Sequence, residues 1–276
     1  FQRKFEDDNV KRIQIIYDVT KQSFINQGLV FFGGYATTMY SQYMPRNIRN
    51  KFTIEPDFDV LSTNPQRSCV IVKERLQDSG ITNVSIHKKK ELGEVIAEHY
   101  EVRVGEDSIA FVYFPLSCHS YNVVKEGKDK VKIATIDTML SFYLAFIYAG
   151  RPYYDDDRIL CMANFLFQVQ QKNRLKQKGL LRRFSISCYG SQKSLEDIRG
   201  EKASKFLELK DKRGTEEYEG WFLKYRPGDK VEKKIVKKKD KKEIKTKTIK
   251  KNSKKPKTKI KKRTKTQKNF ISRFFK

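Results

Sequence analysis

Two short stretches carry the residues best suited to chemistry: "LVFFGGYATTMY" at 29–40 and "PDFDVLS" at 56–62. Adjacent glycines between an apolar strand and a helix let the backbone approach an anion closely, and the N–H groups at the helix start can bind phosphate. Side chains alternate along a strand, so Asp57 and Asp59 share one face while Phe58 takes the other. Two parallel carboxylates repel each other unless cations lie between them. Hard divalent ions such as Mg²⁺ or Mn²⁺ take oxygen ligands and bridge carboxylates to phosphates. A phosphate shelf at Gly33 and Gly34, followed about 25 residues later by a metal-binding acid pair, suits nucleotidyl transfer. The bland alternative is a tight turn and an edge strand with solvated acids.

These residues need a sheet to hold them. "DDNVKRIQIIYDVTKQSFINQG" has apolar residues near helical spacing, acids at its start and Gly28 as its stop. "LVFF" reads as a short buried strand, "YATTMYSQYM" as a helix leaving the glycine corner, and "KFTIEPDFDVLS" as a second strand. Pro56 within that strand implies an edge position or a bulge. "PQRSCVIVKERLQDSG" is an amphipathic helix. "NVSIHKK", "EHYEVRV" and "DSIAFVYF" are strands, the last two joined as a hairpin at Gly105. After Pro115 the pattern reads as helical, through a buried "ATIDTMLSFYLAFIYA", a long helix with Asp155, Asp156 and Asp157 near its start, and a charged helical stretch ending near Trp221 and Phe222. The expected fold class is α+β, a small mixed sheet with helices on one side. The expected divisions are an α/β core at 1–134, a helical subdomain at 135–228 and a disordered basic tail at 229–276.

The chain has 276 residues and a formal net charge of +26. From 229 to 276 there are 23 Lys or Arg against 4 acids, so the globular part is only mildly basic. Such a tail lacks the apolar residues to offset the entropy of ordering, and as a polycation it attracts any RNA in a salt-dependent way. Nuclear targeting and anionic lipid are rival uses of its composition. The sequence opens on Phe1 rather than Met, which suggests a segment of a longer protein. No apolar signal segment stands at the start. The longest apolar-rich run, 138–150, is too short to span a bilayer of about 30 Å, so a soluble chain with no membrane partner is expected. Cys69, Cys118, Cys161 and Cys188 show no CxxC pair, which favours a reducing compartment over a disulfide framework. Cys118-His119 is a weak candidate for a nucleophile with its base, and His87 and His99 read as surface or strand-end residues. "QKNRLKQKGLLRRF" is uninterrupted by acids, which makes Lys172, Arg174, Lys176, Lys178, Arg182 and Arg183 a candidate RNA-backbone surface.

"FFGGYATTMY…PDFDVLS" resembles the signature of the polymerase-beta-like nucleotidyltransferase superfamily. "IATIDTMLSFYLAFIYAGRPYYDDDRILCMANFLF", "QQKNRLKQKGLLRRFSISCYG" and "EYEGWFLKYRP" resemble the C-terminal region of the poly(A) polymerase catalytic subunit of giant, mimivirus-like viruses. The resemblance covers about residues 5 to 228. It implies a nucleotidyltransferase-like fold and addition of adenylates from ATP to mRNA 3′ ends with Mg²⁺ or Mn²⁺. It further implies RNA as a partner and a place in the virion or the infected-cell cytoplasm; a homodimer is open. Carried over by motif, Gly33 and Gly34 hold phosphates, and Asp57 and Asp59 hold metal and carry catalysis. One departure stands out. The superfamily usually has a third carboxylate on a later strand, and "DSIAFVYFP" offers none at its centre, where Ala110 or Val112 stands in the expected place. Glu101 is a substitute from the next strand or a solvated strand residue. Lacking that acid, the chain could instead be a degenerate transferase-fold domain serving RNA binding or dimerisation, with the active copy upstream. The tyrosines near 143 are read as core, with some able to line a nucleotide site.

Overall fold

In the computed structural model the described residues are 10–45, 57–151, 153–183 and 185–222. Pro56, the acids before residue 10 and the basic tail from 229 lie outside them. The elements in chain order are α1 (Val10–Asn26), β1 (Val30–Phe32), α2 (Gly33–Tyr40), β2 (Phe58–Leu61), α3 (Pro65–Asp78), β3 (Val84–Lys89), β4 (His99–Val104) and β5 (Asp107–Tyr113). There follow β6 (His119–Glu126), β7 (Asp129–Ala134), α4 (Ile136–Ala149), α5 (Asp156–Lys172), β8 (Cys188–Tyr189), α6 (Leu195–Leu209) and α7 (Glu216–Trp221).

The eight strands form one mixed sheet in the order β3-β4-β5-β2-β1-β7-β6-β8. β1 runs antiparallel to β2 and parallel to β7, and β2 runs parallel to β5. β2 is therefore central, not the edge strand that Pro56 suggested. Its two faces differ as the alternation demands. Phe58 is fully buried in an aromatic cluster with Tyr17, Phe24, Phe31 and Tyr35, at ring separations of 4.8 to 6.2 Å. That face is closed by α1 and α3. Phe32 belongs to the other face, where it stacks on Phe142 of α4 at 4.5 Å and meets Tyr113 at 5.4 Å. Helices thus cover both faces, because both carry large apolar side chains that water would otherwise solvate. This corrects the one-sided arrangement.

The stretch after Pro115 differs from its helical reading. Residues 119–134 form an antiparallel hairpin, with Glu126 opposite Asp129 across Gly127 and Lys128. Gly127 has φ +61, the left-handed geometry that a two-residue hairpin turn requires. The alternation of "NVVKEGKDKVKI" was masked by its lysines, which hold one face while Asn122, Val131 and Ile133 are buried on the other. α4 then begins at an N-cap, Thr135, whose hydroxyl accepts from the Thr138 N–H. At the far end, α7 docks by close backbone approach: a Cβ on Gly93 would overlap Gly220, and the Phe222 ring packs edge-on against Phe206 at 5.9 Å.

Candidate active site

β1 ends at Phe32, and Gly33 opens α2 with φ +64. The register sets Asp59 opposite Phe32, so its carboxylate emerges beside the glycine corner. A Cβ at Gly33 would run into Asp59 Oδ2, so the bare backbone is what lets the acid sit there. The Gly34 N–H donates to that carboxylate. Thr37 secures the corner from within: its hydroxyl donates to the Gly33 carbonyl at 2.8 Å and meets the Tyr143 hydroxyl of α4 at 3.0 Å.

Asp57 stands one alternation before Asp59 and is buried, while Asp59 is half-buried at the cavity wall. Burial pushes the Asp59 carboxyl up to about 8, the Asp57 charge adds to the rise, and the Gly34 hydrogen bond opposes it. Two neighbouring acids in a poorly solvated site repel each other and are relieved by a cation.

The four sequence-identified residues Gly33, Gly34, Asp57 and Asp59 line one cavity of about 420 Å³. Its other walls come from Phe111 and Tyr113 of β5, Tyr143 and Phe146 of α4, the Tyr153-Tyr154 segment, and Asp155, Arg158, Ile159 and Met162 around the start of α5. Tyr154 stacks on Phe146 at 4.5 Å and its hydroxyl lies 3.4 Å from that of Tyr113. Lys89 Nζ stands 5.4 Å from the Tyr153 ring centre. Burial raises the Tyr113, Tyr143 and Tyr154 phenols well above their ordinary range, so they remain hydrogen-bond donors. The cavity thus pairs an acidic, glycine-floored wall with a large aromatic one.

Arg158 and Asp155 were not singled out for this wall from sequence, although "YYDDDR" precedes a helix. Asp155 is the N-cap of α5 and accepts from the Arg158 N–H at 3.1 Å, so the acid run does serve the helix start as its spacing suggested. Arg158 lines the cavity and makes no ion pair among the described residues.

The third carboxylate is answered by register. Phe111 lies opposite Asp59, whereas Ala110 pairs with Phe58 and Val112 with Val60 on the other face. The expected position is therefore 111, and it holds phenylalanine. Glu101 lies in the same row, opposite Phe111 but one strand further out. It is not solvated, being 2% exposed, and it is engaged by Lys89 and Arg103 at 2.8 Å each and by Ser108. Burial by itself would raise its carboxyl, but the Arg103, Lys89 and Ser108 hydrogen bonds prevail and hold it at about 2. This acid is committed to an internal ion pair. Among the described residues there is no group of three or more His, Cys, Asp and Glu side chains arranged to hold a metal. The donor set fits a hard cation through two carboxylates, with the remaining oxygens left to a substrate.

Three other expectations change or settle. Cys118, just before β6, and Cys188 of β8 form a disulfide with Cα atoms 5.3 Å apart, against the expectation that a reducing compartment fits better than a disulfide framework. They are distant in sequence, and the β6–β8 pairing, His119 with Tyr189 and Ser120 with Cys188, brings them together. Cys118 is therefore no nucleophile. His99 stands at the start of β4, a strand end as one of its two readings had it, but it is buried there, stacked on Tyr113 at 4.4 Å, and burial pulls its imidazole down to about 4. Lys172, Arg174, Lys176, Lys178 and Arg182 are exposed and Arg183 is half-buried, all away from the cavity lining.

No protein-family model and no curated protein matches this sequence. Among solved structures, the polyadenylate synthase of Megavirus is similar, with a TM-score of 0.57 at 14% identity over 86% of this chain and 51% of that one. The chain spans about half the length of that protein. The described helices include none long and apolar enough to cross a membrane. What the likeness establishes is the architecture: the chain shares the fold of about half of that polyadenylate synthase.

Proposed function

We propose that this chain is a segment of a poly(A) polymerase, a polynucleotide adenylyltransferase that joins AMP from ATP to the 3′ hydroxyl of mRNA and releases pyrophosphate. The observation that carries the reading is the acid pair fixed on one side of β2 against the bare Gly33 corner, inside a tyrosine-walled cavity. Asp57 and Asp59 are the residues that would hold Mg²⁺ or Mn²⁺, and such ions, when bound, supply charge neutralisation at the phosphates and at the attacking hydroxyl. The backbone at Gly33 and Gly34 leaves room for the triphosphate, the tyrosine wall offers flat faces to a base, and Asp57 and Asp59 lie in the same cavity. The surface of Lys172, Arg174, Lys176, Lys178, Arg182 and Arg183 would track the RNA backbone, with the tail raising local RNA concentration. A virion or infected-cell cytoplasmic location and a homodimer belong to the same proposal.

A second reading is favoured by one observation, Phe111 in the row where the third acid belongs. In it the cavity binds nucleotide without transfer, the domain serves RNA binding or dimerisation, and the active copy lies elsewhere in a longer chain. Extension of an RNA oligonucleotide with ATP and Mg²⁺ or Mn²⁺ separates the two. Transfer that is abolished by Asp57→Asn supports the first reading. ATP binding without any transfer supports the second.

A further inference from the structure

The charges of the β6–β7 hairpin are sorted by face. Register and alternation place Tyr121, Val123 and Lys125 of β6 on one side, together with Lys130 and Lys132 of β7. The hairpin acids Glu126 and Asp129 oppose each other on the other side, where Glu126 binds Lys21 of α1 at 2.5 Å and Tyr35 at 2.7 Å. Lys125 and Lys130 lie directly across from each other, both exposed and without an ion pair among the described residues. Like charges so placed weaken a hairpin unless an anion lies over them. Beside them Val123 is 51% exposed. Lys132 Nζ donates to the Gly28 carbonyl at 2.9 Å and is held there 5.4 Å from the Tyr121 ring centre and 5.8 Å from that of Tyr189, on the adjoining strand β8.

We infer that this open face of β6, β7 and β8 binds a single-stranded polynucleotide, with bases on Tyr121 and Tyr189 and phosphates on Lys125 and Lys130. Cations interleaved with aromatic rings on a sheet are what unstacked bases and a phosphate backbone together require. Lysine carries no planar fork to read base edges, so the surface is indifferent to sequence. That the strand is RNA rests on the proposed function; the polynucleotide chemistry does not. The face is separate from the cations at 172–183, whose segment is tied to the opposite side of β6 by Asn122, which donates to the Arg182 carbonyl at 2.9 Å.

The test is fluorescence anisotropy of the full chain with labelled oligoadenylate over a salt series. The Lys-rich tail contributes equally to every variant, so differences report the hairpin. Lys125→Gln with Lys130→Gln, both at exposed positions, should make the slope of log affinity against log salt shallower by about 1.4, at about 0.7 per lost phosphate contact. Tyr121→Leu or Tyr189→Leu should weaken binding about tenfold with little change in slope. An unchanged slope in the lysine pair overturns the inference. Polyglutamate bound as tightly as RNA, and unaffected by the tyrosine changes while RNA is equally unaffected, overturns it in favour of an acidic polypeptide. Neither readout needs catalysis, so a failure of adenylate transfer leaves this result standing.

Discussion

Replacing Asp59 by Asn should stabilise the fold, and the gain should grow with pH. Asn has the same shape and still accepts from the Gly34 N–H, but it carries no charge to repel Asp57. Burial first, and the Asp57 charge second, raise the Asp59 carboxyl from 3.8 to about 8. With the folded value raised, its contribution to stability is intact below the unfolded value and is lost as pH climbs through the folded one. Each unit of separation corresponds to about 1.4 kcal/mol, which sets a ceiling of ~5–6 kcal/mol above pH 8. The cavity opens to water, and screening there brings the expected gain to roughly 2–4 kcal/mol at pH 8 and near zero at pH 4. Urea unfolding of both proteins at pH 4, 6 and 8 without divalent metal measures it. Added Mg²⁺ should narrow the gap at pH 8 by favouring the wild type alone. A difference that is flat with pH, or a variant less stable throughout, would refute the claim that burial and the Asp57 charge together disfavour the ionised Asp59 carboxylate.

Gly33→Ala should cost about 1–2 kcal/mol from its left-handed backbone alone and more from displacing Asp59, read as a lower urea midpoint with weakened ATP affinity. Glu101→Gln leaves Lys89 and Arg103 facing a neutral group, and because both cations are partly exposed it should destabilise by about 1–3 kcal/mol in unfolding experiments, without selectively reducing nucleotide affinity. Its folded carboxyl at about 2 lies below the ordinary 4.5, so the stability it supplies is complete above pH 4.5 and fades as pH falls toward 2, which thermal melts across that window would record. The disulfide closes a sequence separation of 70 residues, so reduction, or Cys118→Ser with Cys188→Ser, should cost about 4 kcal/mol in the same urea assay.

The chemistry-bearing corner was legible in the sequence because its signals are local. Period-two alternation alone sets Asp57 and Asp59 against Phe58, and Gly33-Gly34 between an apolar run and a helix pattern fixes the turn. Register is not local. Alternation could not say whether 110, 111 or 112 faces Asp59, and so could not reveal that Phe111 fills the row. Glu101 read as solvated because its partners Lys89 and Ser108 are remote along the chain and converge only across β3, β4 and β5. Arg158 and the Tyr153-Tyr154 segment reach the cavity through the packing of α4 against α5, for which no local pattern exists. The β6–β7 hairpin was missed because three lysines on one face interrupt the apolar count, although Gly127 marked its turn.

The most direct measurement is single-turnover transfer of labelled adenylate from ATP to an RNA 3′ end by this chain and by its Asp57→Asn and Asp59→Asn variants, with Mg²⁺ or Mn²⁺ supplied. The account predicts metal-dependent extension by the wild type and a loss of at least about a thousandfold in each variant, the scale of removing an electrostatic stabiliser of the reaction. Extension that proceeds undiminished in both variants would contradict it.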